Sequence, residues 1–94
     1  MAISVQSVVV AVSEKLSSQV GGDAVVLDMQ SGKYFGLEGV GARIWELVQQ
    51  PRKVSEIRDA VLSEYDADPA ECERDLLAFL RQVQEAGLIE VKDA

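Results

Sequence analysis

The stretch Gly32–Val48 constrains the fold of this chain more than any other: Gly-Lys-Tyr-Phe-Gly-Leu-Glu-Gly-Val-Gly-Ala-Arg-Ile-Trp-Glu-Leu-Val. Its first part has the period of a strand, with Lys33, Phe35 and Leu37 on one face and Tyr34 and Gly36 on the other. Beyond Glu38-Gly39 the period changes. Val40, Ile44, Leu47 and Val48, with Trp45 beside them, recur at helical spacing, and Pro51 ends that helix. A strand that feeds straight into an amphipathic helix requires a mixed fold.

The segments on either side extend that pattern. Val8–Val12 and Ala24–Asp28 are short and β-branched, separated by a polar stretch ending in Gly21-Gly22-Asp23. Ser31-Gly32 marks a tight turn before Lys33–Leu37. Three strands with short connections predict an antiparallel meander whose outer strands each leave a row of N–H and C=O groups free. Downstream, Val54, Ile57, Val61, Leu62 and Tyr65 form a second helical stripe, broken at Asp66-Ala67. A third helix is predicted between an Asp68 N-cap, followed by Pro69 and a Glu71 capping box, and a Gly87 stop that lets Leu88 fold back. Within it Cys72, Leu76, Phe79, Leu80 and Val83 share a face. Leu88–Val91 reads as a short extended tail. The expected architecture is one α+β domain spanning residues 1–94, with a three-stranded antiparallel sheet followed by three helices, a permuted winged-helix arrangement.

Composition excludes most chemistry. Histidine is absent, which removes the usual general base and the commonest metal ligand. Cys72, the one cysteine, sits on an apolar stripe as a structural thiol and has no partner for a disulfide, which fits a reducing cytoplasm. The carboxylates are accounted for by caps and solvated faces. Asp66-Ala67-Asp68 with Glu71 lacks the length and glycine of a calcium loop, and Gly39-Val40-Gly41 carries no phosphate fingerprint. No enzyme activity, metal or cofactor is expected. No apolar run approaches the roughly 20 residues of a membrane span. Net charge is −7, and from Asp66 onward eight acids face three bases, a net of −5. Such a surface repels nucleic acid, so a winged-helix DNA-binding regulator is a weak rival. A plain dimerisation module, pairing two open strand edges, is a second.

One resemblance organises these features. Lys33-Tyr34-Phe35-Gly36-Leu37-Glu38 and Gly41-Ala42-Arg43-Ile44-Trp45-Glu46-Leu47 resemble the PqqD family. Val54-Ser55-Glu56-Ile57, Asp75-Leu76, Phe79-Leu80 and Gly87-Leu88 follow in the family's order, so the likeness runs from about Val8 to Ile89. The chain looks most like the small stand-alone members of lasso-peptide gene clusters. Glu38, where many relatives have Asn, and Lys53, where Thr or Ser often caps the second helix, depart from the pattern. The Lys53 departure should cost about 1 kcal/mol locally.

The resemblance implies a non-catalytic recognition element for ribosomally made, modified peptides. It would bind the leader segment of a precursor as an added strand on the third strand, against the third helix. It would then present that leader to a separate leader-cleaving cysteine protease, with a cyclase acting afterwards. The expected binding residues are Lys33, Tyr34, Phe35, Gly36 and Leu37 on the strand, with Asp75, Leu76, Phe79 and Gln82 on the helix. Phe79 would floor an apolar pocket and Asp75 would pair with a basic residue or a backbone N–H of the guest. Either parity of the strand is open to face the groove. Trp45 is expected in the core, or else in an apolar patch for the protease. The protein is expected as a monomer or a weak homodimer through the open edge.

Overall fold

The computed structural model describes residues 3–12, 15–20, 23–28 and 31–92. It is an α+β domain with two small antiparallel sheets and three helices. One sheet has the order β2-β3-β4, formed by Lys15–Val20, Asp23–Asp28 and Tyr34–Leu37. The other has the order β5-β1-β6, formed by Arg52–Lys53, Val8–Ala11 and Ile89–Lys92. The helices are α1 (Val40–Leu47), α2 (Val54–Glu64) and α3 (Pro69–Glu85).

The three-stranded meander exists, but its first strand is not the expected one. Lys15–Val20 pairs with β3, while Val8–Ala11 is drawn into the second sheet. There β1 is central: Val8 to Ala11 stand opposite Lys92 to Ile89 on one side, and Val8 and Val9 opposite Lys53 and Arg52 on the other. Both of its edges are therefore occupied, and Val9 is fully buried, as an apolar central strand requires. The Gly21-Gly22 turn lies outside the described residues. The predicted tail is extended as expected and becomes β6.

Local signals set the helix ends. Asp68 accepts a hydrogen bond from the Glu71 N–H (3.1 Å), and Pro69 occupies the first turn of α3. Glu71 does not return the bond, so the expected capping box is only half formed. At the other end Gly87 takes φ +77°, the Gly87 N–H reaches the Gln84 carbonyl (3.0 Å) and the Leu88 N–H reaches that of Val83 (2.9 Å). These are the two bonds of a Schellman motif, and they bring Leu88 into the core. Lys53 carries only donors and cannot cap α2. Instead the Glu56 carboxylate accepts from the Lys53 N–H (2.9 Å), which satisfies one orphan at that end.

The core joins both sheets to all three helices, through Val9, Val26, Ile44, Ile57, Leu80 and Leu88 among others. Trp45 belongs to it, at 2% exposure, and its indole Nε1 has no hydrogen-bond partner among the described residues. Two ion pairs cross between helices. Arg43 donates Nε and Nη2 to the Glu64 carboxylate (both 2.9 Å), joining α1 to α2, and Arg58 Nη1 donates to Glu73 Oε1 (2.8 Å), joining α2 to α3.

Candidate functional site

Among the described residues strand β4 pairs on one side, with β3. Leu27, Val26, Val25 and Ala24 of β3 stand opposite Tyr34, Phe35, Gly36 and Leu37. No strand among the described residues covers the other edge, so one row of main-chain donors and acceptors faces outward. Phe35 is half-buried against the core and Leu37 is buried, whereas Tyr34 (73% exposed) and Gly36 point away. The odd positions of the strand thus face the core and the even ones face outward. Lys33 is exposed and precedes β4, its carbonyl accepting the Asp28 N–H (2.9 Å) across the turn.

Three residues beyond Leu37 the chain enters a groove. Glu38 and Gly39 make the turn, with Gly39 at φ +54° and the Glu38 carbonyl accepting the Gly41 N–H (3.0 Å). Gly39 supplies a backbone angle that a side chain would disfavour. The groove beyond it holds about 320 Å³. Val40, Gly41 and Ile44 of α1 form one wall, and Val61, Tyr65 and Ala67 from the end of α2 and the following loop form another. The third is α3, through Glu71, Cys72, Asp75, Leu76 and Phe79. Gly41 and Phe79 define its shape together. A β-carbon on Gly41 would lie 3.2 Å from Phe79 Cε1, so the bare glycine lets the ring approach α1.

The walls are apolar apart from two carboxylates, Glu71 and Asp75, one helical turn apart. Burial pushes the Cys72 thiol above its ordinary range, and the Asp75 charge pushes it further in the same direction. A thiol so protonated is a poor nucleophile. Among the described residues no group of His, Cys, Asp and Glu is arranged to hold a metal ion. No helix among the described residues is long and apolar enough to cross a membrane. What the arrangement offers is an apolar groove with two carboxylates on its α3 wall.

Of the residues expected at the site, Asp75, Leu76 and Phe79 come together in the groove. Gln82 is exposed one turn beyond Phe79 and does not line it. Lys33, Tyr34, Phe35, Gly36 and Leu37 do not line the groove either; they form or precede the neighbouring strand edge. Sequence reasoning overlooked Gly41, Tyr65 and Ala67. It assigned Glu71 to a cap and Cys72 to the core alone. The available signal was the spacing of Glu71, Asp75 and Phe79 at four-residue intervals, which puts them on one stripe of α3.

Two comparisons with known proteins bear on the family. The family model for PqqD, described as coenzyme PQQ synthesis protein D, matches residues 23–89. Among solved structures the chain is similar to TbiB1 in complex with the TbiA(beta) leader peptide. The two share 38% sequence identity at a TM-score of 0.81, over 86% of this chain and 94% of that one. No curated protein matches. With more than two thirds of its length matched by that model, the chain belongs to the PqqD family.

Proposed function

We propose that this protein binds the leader segment of a ribosomally made precursor peptide and presents it to a separate processing enzyme. The observation that carries the reading is that the open β4 edge and the Phe79 groove are adjacent along the chain, with only Glu38 and Gly39 between Leu37 and the groove-lining Val40. The guest adds as a further strand along β4 and sets an apolar side chain into the groove beside Phe79. In strand addition the main-chain bonds supply register and affinity, and pockets for alternate side chains supply selectivity. Micromolar binding needs about 8 kcal/mol. One buried anchor contributes about 1.5–3 kcal/mol, and the ladder supplies the remainder. The similarity to TbiB1, whose structure holds a leader peptide, supports the same class of ligand here. The chemistry then falls to partners, a leader-cleaving cysteine protease followed by a cyclase, while this chain fixes the guest. Without a guest, the same edge is available for weak pairing with a second copy.

The test is titration of a fluorescently labelled leader from a short precursor sought in this gene's neighbourhood, followed by anisotropy. Saturable binding is expected with the natural chain, and at least about a tenfold loss with Phe79→Asp, since a charge in an apolar pocket is left without a partner. Absence of saturable binding to the natural chain would refute the reading.

A further inference from the structure

We propose that the guest carries a lysine or arginine next to its apolar anchor, and that Glu71 and Asp75 select for it. The inference rests on the leader-binding reading and adds a charge requirement to it. Both carboxylates line the groove; Glu71, in the first turn of α3, suits the helix N-terminus, whereas Asp75 lies beyond that turn and has no such role. Asp75 has no hydrogen bond or ion pair among the described residues. Glu71 has only Arg74 Nη2 at 3.8 Å, with both side chains about two-thirds exposed or more (66% and 73%), a contact that solvent leaves nearly without effect. Its place in the capping box is not taken up, because Asp68 caps α3 without a return bond. Two like charges one turn apart disfavour the helix slightly.

Nothing in the groove balances them. No lysine or arginine lines it. The arginines around it are committed elsewhere: Arg43 to Glu64 and Glu46, and Arg58 to Glu73 and Asp59. Asp66 and Asp68 stand exposed on either side of the lining residue Ala67, adding to the negative field at that end. Apolar walls beside such charges concentrate the potential. An uncharged guest seated here would strip water from two carboxylates without replacing it. A cationic side chain beside the anchor replaces that water with a charge-assisted bond, and an acidic one is repelled.

The experiment uses the same labelled leader and the full chain, natural and with Glu71→Gln and Asp75→Asn together. Both substituted side chains are exposed and near-isosteric, so folding should be preserved, and a thermal melt checks this. The double variant should bind about tenfold more weakly at low salt. Raising salt from about 0.05 M to about 0.5 M, which shortens the screening length several-fold, should weaken the natural chain far more than the variant. Replacing the leader's Lys or Arg with Gln should cost the natural chain the same factor and the double variant nothing. Glu90→Gln, exposed on β6 of the other sheet, should leave binding unchanged. Equal affinity and parallel salt curves for natural and variant chains would overturn the charge requirement while leaving leader binding intact. So would tight binding of a leader without Lys or Arg near its anchor. Failure of the natural chain to bind the leader at all would remove both proposals together.

Discussion

At Gly41 a single hydrogen atom keeps the groove open. Its neighbour Phe79 is half-exposed, so the ring has room to move by a few tenths of an ångström rather than strain the core. Gly41→Ala should therefore not lower the melting temperature, since alanine is favoured over glycine in a helix by up to about 1 kcal/mol. It should nevertheless weaken leader binding severalfold by pushing the ring into the guest's space. Anisotropy and a thermal melt on one sample separate the two effects, and a fall in both would mean that Phe79 cannot yield. Phe79, Leu76 and Asp75 were readable from the helical stripe, because a wheel places them on one side of α3. Gly41 was not, because the role of a missing side chain depends on what packs against it from 38 residues further along. Tyr65 and Ala67 escaped for a related reason: a break between two helices has no periodicity to mark which residues turn inward.

The three helices are held by pairs whose pH response can be worked out. The Arg43 guanidinium, through three hydrogen bonds from Nε and Nη2, holds the Glu64 carboxyl below the usual carboxylate range. A carboxyl with a lowered folded pKa stabilises the fold above its unfolded value, near 4.3, and that contribution is lost as pH falls through the lower folded value. Glu64→Gln should therefore lower the melting temperature slightly at neutral pH. The gap between natural and variant chains should close below about pH 4; a gap independent of pH would assign it to packing. Of the elements themselves, α3 was legible almost to the residue because Asp68, Pro69 and Gly87-Leu88 are local signals. Strand β2 was not. Lys-Leu-Ser-Ser-Gln-Val is too polar to stand out from a loop, and only its pairing with β3 makes it a strand. The partners of β1 were likewise hidden, since they lie about forty and eighty residues away in sequence.

For the molecule as a whole, those distant pairings make folding cooperative. Removing residues 88–94 deletes β6 and the buried Leu88 and Ile89 (1% and 4% exposed). Each of these side chains contributes about 1.5–3 kcal/mol by burial, and β1 would lose a paired edge. Against a total stability of about 5–15 kcal/mol for a small domain, the shortened chain should show no cooperative melt and no leader binding. A sharp transition by circular dichroism would show instead that the helices and the β2-β3-β4 sheet stand alone. The charge distribution also bears on this scale. Glu71, Asp75 and Glu85 are exposed on α3 against Arg74 and Arg81, a balance opposed to groove reading of DNA.

Trp45 gives the molecule a built-in optical gauge. It is the chain's one tryptophan, and its buried indole N–H finds no acceptor among the described residues, an uncommon arrangement that costs about 1–3 kcal/mol. Shielded from water, the ring emits toward the blue, and any loss of the interior reddens it at once. Because it takes no part in lining the groove, its colour follows the integrity of the scaffold, while the anisotropy of a labelled guest follows occupancy.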